Sequence, residues 1–254
     1  MPNPSRLLKL LLIVTLAGLP ALAVRADEPA AMSQAEKTRI EQVIHDYLLN
    51  NPEVVLEAMQ RLKAKREAEA QRRSQEGVQQ HKAELFHASD DFVLNPDGAI
   101  PVVEFFDYQC AYCKRMFPDM RRLIDDKGDA RIIFKEFPIL GDASVYAAKA
   151  ALAARKQGKY LEFHIAVMAL RQPLSEQVVL QVAKQLGLDL ERLKADMAGG
   201  DVQAAIDANM KLADALGIRG TPTLVIGDEL VPGAIPYSRM QTLIEQARTA
   251  CRVC

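Results

Sequence analysis

Apolar residues along this chain first recur three and four apart, then gather into short β-branched runs, and then return to helical spacing. Ser33-Gln34-Ala35-Glu36 has the form of a capping box, and Ile40, Val43, Ile44, Tyr47 and Leu48 follow on one stripe. Asn50-Asn51-Pro52-Glu53 breaks the helix and restarts it. Asn51 can cap, Pro52 suits the first helical position, and Glu53 suits the positive end of the helix dipole. The second helix carries Val55, Met59 and Leu62, then loses its apolar positions over residues 63–73. Leu48, Val55 and Leu62 stand seven apart, a short heptad pattern. The stripe therefore packs either on the rest of the chain or on copies of itself.

Beyond this arm the pattern turns to strands. Phe92-Val93-Leu94 reads as a strand, Asn95-Pro96-Asp97-Gly98 as a turn, and Pro101 to Phe106 as a buried strand. The following segment runs on as a helix through Leu123 and Ile124, and Arg131 to Phe137 is a further strand. Residues 142–216 are helical, with breaks near Gly158, Pro173, Gly187 and Gly199-Gly200. Thr223 to Ile226 and Glu229 to Val231 form a hairpin around Gly227-Asp228. A last helix holds Met240, Leu243, Ile244 and Ala247. This order predicts an α/β fold, a central sheet covered by helices. The block between Phe137 and Thr221 is too long for a simple crossover and is expected to be an inserted helical subdomain.

Composition narrows the class. The chain has 254 residues, 49% hydrophobic and 26% charged, with a formal net charge of −1. That is ordinary globular composition, and the near-neutral balance argues against a nucleic-acid binder. Arg6 and Lys9, the apolar run from Leu10 to Ala17 and the small residues Ala21-Leu22-Ala23 have the layout of a cleavable secretory leader over residues 1–26. The run is too short for a membrane span. Export would place the cysteines where pairs can stay oxidised.

The four cysteines form two C-x-x-C pairs, Cys110 with Cys113 and Cys251 with Cys254. Cys110 sits where a buried strand hands over to a helix N-terminus. Orphan N–H groups and the positive end of the dipole favour thiolate there. Thiolate is the attacking and leaving species in disulfide exchange, so Cys110 is the expected nucleophile and Cys113 the resolving thiol. A zinc half-site and an inert disulfide are the competing readings of the same spacing. Thr221-Pro222 leads into the strand at Thr223. A Pro before a central strand removes a ladder donor, and either a cis bond in a tight turn or an ordinary trans turn would account for it.

Val103-Glu104-Phe105-Phe106, Cys110-Ala111-Tyr112-Cys113, the helical insert and Gly220-Thr221-Pro222-Thr223 together resemble the DsbA-like branch of the thioredoxin superfamily. The likeness covers roughly residues 86–250. The arm with Asn51-Pro52-Glu53-Val54-Val55 is similar to the N-terminal region of suppressor-of-copper-sensitivity C proteins. The resemblance implies a thioredoxin fold, a cis peptide at Pro222 facing the Cys pair, and thiol–disulfide exchange on exported proteins in the periplasm. It implies a homo-oligomer built through the arm, a membrane redox partner for recycling, and no cofactor. Ala111-Tyr112 between the cysteines and Thr221 before the Pro depart from the oxidase end of the family and tilt toward isomerase or reductase. A dithiol oxidase remains the alternative within the enzyme class, and a copper- or zinc-binding protein the alternative outside it.

The resemblance also places Glu104 beneath the active site, with Lys135 on the neighbouring strand as a partner. Glu104 would then either relay the proton of Cys113 or form a salt bridge at a sheet end. The sequence accordingly divides into a leader (1–26), a helical arm (27–85), a DsbA-like domain (86–250) and a Cys-x-x-Cys tail (251–254). The tail pair admits a local disulfide, a metal clip or a thiol relay. His45, His81, His87 and His164 are scattered and show no ligand spacing, and Met116, Met120 and Met168 read as core.

Overall fold

The structure is a computed structural model that describes residues 32–126 and 128–250. The leader read at residues 1–26 and the Cys251–Cys254 pair lie outside the described residues. Packing divides the chain into two compact units, one up to Gln60 and one from Arg61 onward.

The first unit holds helix α1 (Gln34–Asn50) and the start of α2 (Glu53–Gln80). Ser33 caps α1 in a complete capping box with Glu36. At the other end the backbone and side-chain N–H groups of Asn51 both donate to the Tyr47 carbonyl, at 2.9 and 2.8 Å. The apolar stripe forms as its spacing requires. Within the chain it is uncovered: Val43 is 63% exposed and Tyr47 54%, and α1 buries nothing. Along α2 the pairs Lys63–Glu67, Lys65–Glu69 and Arg72–Glu76 sit at i,i+4 on exposed surface. Each adds only a few tenths of a kcal/mol to the helix.

The second unit takes in the rest of α2, α3 (Lys82–Phe86), β1 (Phe92–Leu94), β2 (Ile100–Phe106), α4 (Ala111–Asp125) and β3 (Ala130–Glu136). An all-helical insert follows: α5 (Asp142–Lys156), α6 (Tyr160–Met168), α7 (Glu176–Gln185), α8 (Leu190–Met197) and α9 (Gly200–Ala215). The chain then returns through β4 (Thr223–Ile226), β5 (Glu229–Pro232) and α10 (Tyr237–Ala250). Among the described residues five strands lie in the order β1-β3-β2-β4-β5, with β2 and β3 parallel and the other neighbours antiparallel. This is the thioredoxin fold with a helical insert that the sequence leads one to expect.

Strand alternation gives the sheet two buried faces. Val102 and Phe106 of β2 join Ile132, Phe134, Leu224, α4, α10 and the insert in the larger core. Val103 and Phe105 point the other way and meet Val78, Leu85, Phe86 and Leu212. So Val78 and Leu85, which the sequence reading assigns to the arm, join Phe86 in the core of the second unit. All seven β2 positions are buried, which is why β2 reads as a continuous apolar run broken only by Glu104. Gly98 permits the turn before β2: a Cβ there would stand 2.7 Å from the Asp129 carbonyl.

Candidate functional site

β2 ends at Phe106 and α4 begins at Ala111, and the four residues between them build the site. Cys110 is the N-cap of α4: its Sγ accepts the Cys113 N–H at 3.4 Å. Its own N–H donates to the Asp107 carbonyl at 3.0 Å, which closes the turn. The Asp107 carboxylate, buried, fixes the surroundings. It accepts the N–H groups of Gln109 (2.7 Å), Ile139 (2.8 Å) and Leu140 (2.9 Å) and the Ser144 hydroxyl (2.7 Å). The start of α4 is thereby tied to the segment entering α5.

The two cysteines are free thiols in unlike settings. The Cys113 thiol, the Thr221 side chain and the backbone N–H groups of Cys113 and Tyr112 all hydrogen-bond the Cys110 sulfur. Together they outweigh its burial and lower its pKa from 9.0 to about 5. Cys113 is fully buried, and burial, the hydrogen bond to Cys110 and the charge of Glu104 push its thiol far above the ordinary value. At neutral pH Cys110 is thus a thiolate and Cys113 a thiol.

The Thr221–Pro222 bond is cis, and the Thr221 carbonyl accepts from Cys110 Sγ at 3.1 Å when the sulfur is protonated. Thr221 therefore meets the sulfur through both its backbone and its side chain. The next hydroxyl, of Thr223, turns away and donates to the Gly220 carbonyl at 2.8 Å.

Glu104 lies beneath this pair, 1% exposed, with no hydrogen-bond partner for its Oε2 atom among the described residues. Burial first, and the Cys110 charge second, raise its pKa to about 8. Lys135 is not its partner, and the sheet register shows why. Glu104 stands opposite Phe134, while Lys135 stands opposite Phe105 and shares that residue's face. On the far face Lys135 pairs with the buried Asp91 and donates to the Glu84 carbonyl. A salt bridge between Glu104 and Lys135 is thereby excluded.

One buried polar cluster is not visible in the sequence. Tyr108, two residues before Cys110, donates to Glu136 Oε1 (3.2 Å) and lies 3.2 Å from His164 Nδ1. Tyr160 donates to the same Glu136 oxygen at 2.8 Å. Burial holds Glu136 well above the usual carboxylate range and His164 down at about 3, so both are neutral. These residues come from β3, the turn before α4, and α6. No local signal joins them, and the cluster couples the insert to the active-site turn. Lys114 adds a second tie, donating to the Val167 and Leu170 carbonyls at the end of α6. Met116, Met120 and Met168 are buried core residues. Among the described residues no three His, Cys, Asp or Glu side chains gather as a metal site.

Residues 101–245 match the DSBA-like thioredoxin domain, and residues 36–69 match the copper resistance protein ScsC N-terminal domain. The fold is similar to a thioredoxin-like oxidoreductase from Silicibacter pomeroyi, at 45% identity and a TM-score of 0.65 over 66% of this chain and 98% of that one. It is also similar to a periplasmic thioredoxin-like protein from Salmonella enterica serovar Typhimurium. That match has 27% identity and a TM-score of 0.58, over 66% of this chain and 96% of that one. In sequence, 64% of the chain is 29% identical to the Na(+)/H(+) antiporter NhaA 3 of Salinispora tropica, but this spans only 26% of that protein. Among the described residues, no helix is long and apolar enough to cross a membrane.

Proposed function

This chain belongs to the DSBA-like thioredoxin family and is a thiol–disulfide oxidoreductase, and on that premise we propose that it isomerises or reduces disulfides of exported proteins in the periplasm. The observation that carries the chemistry is the asymmetry of the pair: Cys110 lowered to about 5 at a helix N-cap, Cys113 buried and protonated behind it. The Cys110 thiolate attacks one sulfur of a substrate disulfide. That S–S bond breaks, the other substrate sulfur leaves as thiolate, and a mixed disulfide forms.

The mixed disulfide removes the negative charge from Cys110. It thereby removes one cause of the high Glu104 pKa and two of the causes that hold the Cys113 proton. With that cause gone, more of Glu104 releases its own proton to solvent, and the ionised carboxylate, with its bare oxygen, takes the Cys113 proton. Cys113 attacks Cys110 and releases the substrate thiol, leaving a Cys110–Cys113 disulfide and a substrate reduced by two electrons. If a second substrate thiolate attacks first, the substrate is isomerised and the pair stays reduced. Recycling of the oxidised pair falls to a membrane redox partner.

Export rests on the leader layout at residues 1–26 and on the periplasmic relative from Salmonella. The uncovered stripe on α1 and α2, in the segment that matches the ScsC N-terminal domain, supports self-association through the arm. Several active sites around one substrate favour isomerisation. One observation favours the second reading, a dithiol oxidase: a thiolate stabilised to about pH 5 stabilises the reduced form, which makes the pair a stronger oxidant.

Two substitutions test the roles. Cys110→Ser abolishes exchange, and Cys113→Ser accumulates mixed disulfides with substrate because only resolution is lost. Adducts trapped on Cys110→Ser would reverse the assignment. Refolding of scrambled ribonuclease against oxidation of reduced ribonuclease separates isomerase from oxidase.

A further inference from the structure

The groove beside Cys110 has a charge character that disulfide exchange alone does not require. A cavity of about 720 Å³ opens between the start of α4 and the loop joining α6 to α7. Gln109 and Ala111, the neighbours of Cys110 on either side, form part of its wall. The side chains of Phe117, Met168 and Leu174 in that wall are buried and apolar. Among the described residues its charged groups are Lys114, Arg115 and Arg171, and no carboxylate lines it. Three cations without a counter-charge are a local excess in a chain whose formal net charge is −1.

These cations have different work. The Lys114 ammonium is committed to the Val167 and Leu170 carbonyls, at 3.3 and 2.8 Å, and braces the groove. Arg115 and Arg171 are exposed. The Arg115 guanidinium lies 4.9 Å from the ring centroid of Tyr112, a residue inside the C-x-x-C motif. An extended polypeptide advances about 3.3 Å per residue. A segment bonded to Cys110 through its own Cys would therefore lay its next few residues across this wall.

We propose that the groove receives the stretch of substrate polypeptide flanking the reacting Cys, and that it selects stretches combining acidic with apolar side chains. This rests on Cys110 being the nucleophile. Guanidinium forks bind carboxylates through charge-assisted hydrogen bonds, and the apolar wall takes the neighbouring side chains. A stretch rich in Lys meets like charge and is rejected.

The test uses the reduced full chain and three disulfides. Bis(2-hydroxyethyl) disulfide reports the chemistry of Cys110 alone. Two peptides, each carrying one Cys as a mixed disulfide with a small thiol, share the same Leu residues and differ only in Glu or Lys at the flanking positions. At low salt the Glu peptide reacts about tenfold faster than the Lys peptide, and the ratio shrinks as salt is added. Arg171→Glu reduces the ratio or inverts it. Equal rates for the two peptides, or a ratio insensitive to both salt and R171E, overturn the groove proposal. Failure of the small disulfide to react would instead overturn the reading of Cys110 as nucleophile. The salt series needs no variant and stands even if R171E folds poorly.

Discussion

The Cys110 sulfur gathers hydrogen bonds from Cys113, Thr221 and Tyr112, and that of the Thr221 side chain can be removed by substitution. Thr221→Val removes one donor with little change of volume. The thiolate loses stabilisation, the reduced form loses with it, and the reduction potential falls. A hydrogen bond to a charged acceptor contributes about 1.5–3 kcal/mol, and about 30 mV corresponds to 1.4 kcal/mol, so the fall is roughly 30–60 mV against glutathione. A potential unchanged to within a few millivolts would mean that the hydroxyl does not act on the sulfur. Glu104 gives a pH signature. Its folded pKa, about 8, lies above the ordinary 4.5, so the folded chain keeps a proton that the unfolded chain sheds between those values. Burial of Glu104 therefore costs stability progressively as pH rises through that window. The Cys110 thiolate, lowered from 9.0 to about 5, contributes in the opposite sense over the same window. Glu104→Gln should therefore make the pH slope of the unfolding free energy more positive between about pH 5 and pH 8 and slow the resolution of mixed disulfides. Identical pH slopes for the two proteins would contradict the burial argument.

At the scale of elements, legibility followed locality. The order of strands and helices was readable because each element carries its own period and breakers, and Cys110 and Cys113 were readable because their chemistry lies within one helical turn. The five-residue α3 has no pattern of its own, and it is defined by Leu85 and Phe86 reaching the sheet. The partner of Lys135 depends on sheet register, where one position decides the face, and adjacency in sequence cannot supply that. The cluster of Tyr108, Glu136, Tyr160 and His164 draws on three separate elements and left no signature. The arm was legible as helices, and its exposed stripe now gives it a test. Removal of residues 27–76 spares Val78, Leu85 and Phe86, which complete the core. The shortened protein should be a folded, redox-active monomer with weakened isomerase activity. Light scattering that finds the full-length chain monomeric would remove the arm's proposed role.

Across the whole molecule, the sheet, α4 and the insert converge on one electrostatic result: one thiol made acidic at a helix cap and its partner kept neutral in the core. The Asp107 hydrogen bonds, the Tyr108–Glu136 contact and the Lys114 tie hold that junction from three directions. The central claim is that Cys110, and not Cys113, is the thiolate at neutral pH. Alkylation of the reduced protein by iodoacetamide, mapped to each Cys by peptide mass spectrometry from about pH 3 to about pH 9, measures this directly. The reactivity of Cys110 should rise with a midpoint near pH 5, while Cys113 stays unmodified throughout. A Cys110 midpoint near its ordinary value of 9.0, or modification of Cys113 ahead of Cys110, would contradict the account.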